Sequence, residues 1–471
     1  MLYNFLSTRE PTFLYKYIVE PSKNNCEKLY SKKLNLLIFK KKNLPSLHYI
    51  FFYIYIIFSG KIFKNNRSRI NFNNIEIGRF VISNTFYTFD TYVNKLKFYK
   101  LLIKNFYLAG LLIKSCNYYY NKYKISGIYI DHCGYLNGII FSFFAQKKIA
   151  IYTNNYPHGI YFVDYKNNKK QYLLKYENSL RINIKKKINS FQRIKARNKL
   201  ISLVKNKNYI PWLSKLKFKK LKEKIDYNNF DYVIYTHSFT DGQMWYGNDG
   251  FENTLEWLEF TLNAFIGTGK KILIKPHPNF YNNTLAEYAI WDKKIYNIVV
   301  KKYEQHKNFY FLRNPIHNYL LLKKLNKNCI AISKFGSVIL EVSYMNLRSI
   351  SSSCTFYNSK FKISNMWKNK INYLKLLKKS HLKLKKPIIN DLYKLIYSLF
   401  YVYPSCYHTS NYYENIIKKN LRLTQSAYDS IFLAKARSKN YKKEENFKKL
   451  SKKNNISIID DLSKKIWQVR N

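Results

Sequence analysis

Three short segments carry the residues best suited to chemistry, and each follows a run rich in β-branched and aromatic residues. The first, 236–254 (THSFTDGQMWYGNDGFENT), offers His237, Ser238, Thr240, Asp241, Gln243, Trp245, Tyr246 and Asp249. Hydroxyls, an amide, carboxylates and aromatic faces together are what a polyhydroxylated, partly apolar ligand such as a sugar requires. The same residues also suit turn and cap chemistry, with Asp241-Gly242 as a turn and Asn253-Thr254 as helix caps. The density of polar groups ahead of one helix favours the ligand reading.

The second segment, IKPHPNF (274–280), sets His277 between Pro276 and Pro278. A residue before proline is kept out of the α region, so the histidine sits in an extended loop. Held there, its ring can donate to a phosphate oxygen, with Lys275 alongside; the alternative is a loop histidine fixed for rigidity. The third, SKFGSVILE (333–341), runs into Gly336-Ser337 at an expected helix start, with Glu341 one turn on. A helix N-terminus with a small residue is a ready anion site. Ser337 then caps the helix or touches a phosphate, and Glu341 can accept hydrogen bonds from ribose hydroxyls. An ordinary capped helix is the alternative.

The elements that must position these segments follow from periodicity. Strands are expected at 231–238, 271–277, 309–314, 329–333 and 347–352, alternating with helices at 251–268, around 284–303, at 317–326 and at 336–346. That alternation predicts a Rossmann-like, doubly wound domain, in which ligands bind beyond the carboxyl ends of the strands. All three segments fall at such ends, so they are expected to converge.

The first half reads as a second α/β unit: a long amphipathic helix at 94–123, a strand at 125–131, a helix at 134–145 and a strand at 147–153. The expected architecture is therefore α/β, with two Rossmann-like domains facing across a cleft and a basic helical tail. Its parts are 1–165, a basic helical linker at 166–227, 228–400, and C-terminal helices with the tail at 401–471.

Asp131, His132, Tyr135 and Asn137 open the loop after the 125–131 strand. The apolar run 47–58 (LHYIFFYIYIIF) is 12 residues long, shorter than the roughly 20 needed to cross a membrane. It reads as a buried strand or core helix. The N-terminus lacks a signal-peptide pattern. Six scattered cysteines, without C-x-x-C, suit buried thiols in a reducing cytoplasm rather than zinc or disulfides.

Strand-H-P, followed about 55 residues later by strand-x-x-G-S-x-x-x-E, resembles the nucleotide-binding half of GT-B glycosyltransferases. The similarity is to the bacterial capsule and surface-polysaccharide type. S-F-T-D-G-Q (238–243) also looks like a segment of surface-carbohydrate proteins.

The resemblance covers 228–355, and more faintly IEIGRFVIS (75–83) and IYIDHCGYLNGII (128–140). It implies that His277 faces the donor phosphate or nucleotide, that Gly336 and Ser337 cradle phosphate, and that Glu341 binds ribose or base. It implies a general base for the acceptor hydroxyl from the first domain, with Asp131 or His132 as the candidates; a cap for the helix starting near Gly134 is the alternative.

It also implies a nucleotide-sugar donor, a glycan or lipid-linked glycan acceptor, and no metal or other cofactor. No D-x-D metal motif is present. The paired serines that follow H-P in part of that group are absent here, as is a clear acidic-acidic-glycine motif.

Charge invites other classes. The 471 residues hold 83 Lys+Arg against 27 Asp+Glu, a formal charge of +56, with only 12 arginines. Lys, Asn, Ile, Tyr and Phe have A/T-rich codons, so an AT-rich genome explains much of the lysine. A nucleic-acid-binding protein is disfavoured, because arginine is the residue of bidentate phosphate and base recognition and no RRM, KH or zinc-finger pattern occurs. A sugar-nucleotide epimerase is the closer alternative, since non-hydrolysing epimerases share the GT-B architecture.

The surplus lysine suits attachment to anionic lipid headgroups, so a cytoplasmic protein peripheral to the inner face of the membrane is expected. One stretch breaks the pattern: 225–269 contains no Lys or Arg, where an even spread gives about eight. Five of the 13 glycines fall between 242 and 269. That neutral-to-acidic island holds the first of the three segments.

Overall fold

The computed structural model describes residues 2–3, 37–38, 44–64, 66–122, 127–130, 135–155, 159–163, 188–205, 225–244, 247–281, 287–355, 357 and 361–397. The chain divides into two compact units, one formed by 1–84, 102–175 and 399–471, the other by 85–101 and 176–398. The division is not serial: 85–101 joins the second unit, where the Tyr92 hydroxyl donates to the Phe239 carbonyl and the Tyr87 and Trp291 rings meet edge to face. The expected basic tail, 401–471, and most of the expected linker lie outside the described residues.

The first unit opens with β1 (Leu2–Tyr3), β2 (Leu37–Ile38) and α1 (Leu47–Phe58). The short hairpin β3 (Asn71–Phe72) and β4 (Ile75–Glu76) leads into α2 (Gly78–Thr85). α3 (Asp90–Val93) and the start of α4 (Lys95–Lys122), the long helix expected from the 94–123 pattern, belong to the second unit, and α4 from 102 onward belongs to the first. β5 (Gly127–Ile130), α5 (Asn137–Gln146) and β6 (Ala150–Asn155) form the expected β-α-β unit, and β7 (Gly159–Val163) returns antiparallel. The sheet order is β2-β1-β5-β6-β7.

The 47–58 run takes the helical one of its two expected forms but is not a core element. It is a helix, capped by Ser46, whose side chain accepts from the Tyr49 N–H, and stopped by Gly60 at φ 69°. Only one face is buried. Tyr49 packs so tightly on α4 that a Cβ on Gly110 would lie 2.0 Å from its ring, and its hydroxyl donates to the Phe106 carbonyl. The opposite face is exposed. Among the described residues no helix is long and apolar enough to cross a membrane.

After 85–101, the second unit continues with α6 (Ser190–Lys205), then β8 (Tyr232–Tyr235), α7 (Thr254–Phe265), β9 (Ile272–Lys275), α8 (Glu287–Tyr303) and β10 (Phe309–Phe311). It continues through α9 (Asn318–Lys324), β11 (Ile330–Ser333), α10 (Val338–Tyr344) and β12 (Ser349–Ser352). β13 (Asn365–Trp367), α11 (Lys370–Leu377) and α12 (Ile389–Tyr397) complete it, three elements beyond the part where the sequence pattern was readable.

All six strands are parallel, in the order β10-β9-β8-β11-β12-β13. β8, β9, β11 and β12 are buried at every position, and the first three accordingly read as largely apolar runs rather than alternating ones, whereas β12 (SISS) buries three serines beside Ile350. Ile234, Ile274, Ile332 and Ile350 face one core with Trp257 and Leu262 of α7, Tyr296 and Val299 of α8, and Tyr373 of α11. Val233, Leu273 and Ala331 face another with Leu321 and Leu322 of α9 and Val342 of α10. Helices therefore cover both faces, as parallel crossovers require.

Candidate functional site

Register builds the site. Tyr235 is aligned with Lys275 on one side and Ser333 on the other, and Ser333 with Ser351, so these four residues form a row at the carboxyl edge. Tyr235 lies in the core beside α9 and α10. The two-residue period of a strand puts Lys275 on that same face, with Leu273. Glu341 is the carboxylate from α10 there; its Oε2 accepts from the Asn318 amide of α9 at 2.8 Å.

Burial brings the two charges toward neutrality. It lowers Lys275 to about 8, with Glu341 opposing. It pushes Glu341 up to about 7, with Asn318 and Lys275 opposing. The Tyr235 hydroxyl is pushed well above its usual range by burial and by the Glu341 charge. A cation and a carboxyl poised within reach of neutral pH at a strand end can both respond to an arriving anion, because an added negative charge raises both pKa values.

The histidines expected to act meet beside this pair. The His237 and His277 rings lie 5.3 Å apart, and Phe335 packs on His237 at 4.4 Å. The His277 N–H donates to Thr236 Oγ1 at 3.0 Å, which ties the β9 loop to the β8 loop. Burial pushes His237 below the usual histidine range, with Lys334 acting the same way and Asp241 and the Ser238 carbonyl opposing. At neutral pH its ring is then an uncharged donor and acceptor rather than a cation.

The rest of the 236–254 loop corrects part of the sequence reading. Ser238, Thr240 and Gln243 are buried. Asp292 of α8 accepts from the Phe239 N–H at 2.7 Å, the Thr240 N–H at 3.1 Å and the Thr240 hydroxyl at 3.2 Å. Gln243 donates to the Ser238 and Asp241 carbonyls, both at 2.9 Å, and accepts from the Thr254 N–H at 2.6 Å. Asn253 caps α7 by accepting from the Glu256 N–H at 2.8 Å, and Gly242 turns at φ 59°. The turn at Gly242 and the cap at Asn253 are as the turn-and-cap alternative has them, and the hydrogen bonds of Thr240 and Gln243 shape the loop. His237 and Asp241 remain partly accessible.

The lysine-free window is complemented from elsewhere in the chain. Lys334, directly after β11, reaches Asp249 at 3.5 Å, with both side chains almost wholly buried, and donates to the Phe251 carbonyl at 3.1 Å. Lys370 pairs with Glu256, and Lys302 with Glu259. The island is acidic in sequence and neutralised in space.

Gly336 and Ser337 stand at the start of α10, as expected. Ser337 is the N-cap residue but its side chain makes no capping bond, and it is exposed. A Cβ on Gly336 would lie 3.3 Å from Ser333 Oγ, a crowded approach. The structure thus brings His237, Lys275, His277, Gly336, Ser337 and Glu341 to neighbouring strand ends of one sheet.

Asp131, His132, Trp245 and Tyr246 lie outside the described residues. No group of three metal-ligating side chains occurs among the described residues. Cys116, Cys329 and Cys354 are not in disulfides, and the first two are buried.

Sequence reasoning missed Asn318, Phe335, Asp292 and Lys334. Asp292 left a signal, since it stands among Ala289, Ile295, Tyr296 and Val299 on the buried stripe of α8. An acid at an apolar position implies a buried partner. Asn318 and Phe335 left none.

No protein-family model matches the chain, and no curated protein does. Among solved structures it is similar to Thermosulfurimonas dismutans KpsC, a beta Kdo 2,4 transferase, at 13% identity and a TM-score of 0.28, over 46% of this chain and 57% of that one. It is also similar to UDP-GlcNAc 2-epimerase from Methanocaldococcus jannaschii. The structure of that protein in complex with UDP-GlcNAc and UDP matches at 12% identity and a TM-score of 0.28, over 65% of this chain and 88% of that one. A second structure of it matches at 14% and 0.26, over 62% and 82%. The chain spans little more than half the length of the transferase, and matches this distant carry nothing about substrate.

Proposed function

We propose that this chain is a nucleotide-sugar-dependent glycosyltransferase that works without a metal, transferring a sugar to a surface polysaccharide or glycolipid acceptor. The observation that supports it is the meeting of His277 and His237 at 5.3 Å beside Lys275, at the carboxyl edge of a parallel sheet. Such an edge is where open α/β folds hold nucleotides, and these side chains offer the donors that a diphosphate needs. His277 and Lys275 take the phosphate oxygens and offset the charge that develops on the leaving group. Glu341, carried by α10, accepts from ribose hydroxyls when ionised. Asp131 or His132 serves as general base toward the acceptor.

Calorimetric titration of the full chain with CMP-, CDP- and UDP-sugars tests this reading. At least one binds, and His277→Ala weakens it by about tenfold or more, the loss of one charge-assisted hydrogen bond. Failure of every nucleotide sugar to bind or to shift the melting temperature refutes the reading. Conversion of the donor sugar without any acceptor present assigns the site to an epimerase instead.

A further inference from the structure

One face of α1 remains outside both the fold and the proposed donor site. At about 100° per residue, Leu47, Phe51, Ile54, Tyr55 and Phe58 share one side of the helix, opposite buried Tyr49 and Ile56. Leu47, Phe51 and Phe58 are 74%, 70% and 83% exposed, and Leu44 just before the helix is exposed as well. A contiguous apolar strip of this size on a surface marks an interaction site.

The charge of the flanking sequence indicates what covers it. From 28 to 75 there are ten Lys or Arg and no Asp or Glu. Lys61, Lys64 and Arg69, just past the helix, are exposed, and the Lys61 ammonium donates to the Tyr55 hydroxyl at 2.8 Å. An apolar strip with cations past its C-terminal end complements acyl chains beneath anionic headgroups. An acidic protein surface would satisfy the cations but not the strip. At 12 residues the helix is about 18 Å long against a hydrocarbon core of about 30 Å, so it cannot span and must lie in the interface plane.

We propose that α1 is an interfacial anchor, seating Leu47, Phe51, Ile54 and Phe58 among the acyl chains of an anionic bilayer with Lys61, Lys64 and Arg69 at the headgroups. This goes beyond the sugar-transfer reading and is independent of it. Flotation of the full chain with vesicles of phosphatidylcholine alone, or mixed with phosphatidylglycerol, is the test. Wild type floats with the anionic vesicles and less so as salt rises.

Phe51→Asp with Phe58→Asp, both at exposed positions, lowers that partition about tenfold or more at an unchanged circular dichroism spectrum and unchanged nucleotide-sugar affinity. Lys61→Glu with Lys64→Glu lowers it on anionic vesicles and flattens the salt dependence. Three outcomes overturn the proposal: no flotation with either vesicle, flotation that both variants leave intact, or a dimer in sedimentation that Phe51→Asp with Phe58→Asp dissolves.

Discussion

Replacing Lys334 by Met tests how the candidate site is held. Lys334 and Asp249 are 2% and 1% exposed and 3.5 Å apart. The ammonium also donates to the carbonyls of Phe251 and Asn253, at 3.1 and 3.4 Å. Methionine keeps the stem packed and removes the charge. Asp249 then retains one hydrogen bond, from the Phe251 N–H at 3.1 Å, and is otherwise a buried carboxylate without a counter-charge.

Breaking a buried pair from one side costs about 3–5 kcal/mol. In a unit of this size that lowers the melting temperature by roughly 6–20 °C. Thermal unfolding at neutral pH followed by circular dichroism reads this directly. Asp249→Asn in the Lys334→Met background removes the orphaned charge, so the double variant is more stable than the two single losses added together, by about 1–3 kcal/mol. A Lys334→Met protein that melts within about 2 °C of wild type, or strictly additive losses, would refute the account of the loop as pinned by this pair.

Other expectations follow from the same geometry. Glu341 has a pKa of about 7 in the fold against an ordinary 4.5, so the folded state holds its proton longer than the unfolded chain. Stability is therefore unaffected by this group below about pH 4.5, falls as pH rises toward about 7, and stays lower above. Glu341→Gln removes that fall, so its stability relative to wild type rises by about 3 kcal/mol from pH 4.5 to 8 in urea titrations. An unchanged pH profile contradicts it.

Asp292→Ala leaves the Phe239 and Thr240 N–H groups and the Thr240 hydroxyl without their acceptor, and costs about 2–4 kcal/mol. Asp292→Asn, which keeps an acceptor oxygen, costs less; equal losses in chemical denaturation would point to packing instead. Gly250 has φ 101°, and a Cβ there would lie 2.8 Å from the Lys370 nitrogen. Gly250→Ala therefore destabilises by about 1–3 kcal/mol in the same assay, and a neutral effect would show that the loop shifts freely.

The sequence by itself determined the alternation of strands and helices through 231–352, because strands buried on both faces are mostly apolar runs and the helices between them carry an apolar stripe. It also located the three segments at strand ends, since glycine, proline and histidine stand out against apolar runs. Only the tertiary structure decided what those segments do with their polar groups. Thr240 looked available because Asp292 is 52 residues away in sequence yet meets the loop in space, while Gln243 is taken up within its own segment by the Thr254 N–H.

The acidic island looked unpaired because Lys334, Lys370 and Lys302 come from later elements. The 12-residue run at 47–58 is apolar on all sides, so no periodicity could say which side is covered. Tyr49 against Gly110 settled that, leaving Phe51 and Phe58 outside. Through 231–352 local pattern indicates which residues form each element, but many hydrogen-bond and charge partners are chosen by packing between elements far apart in the chain.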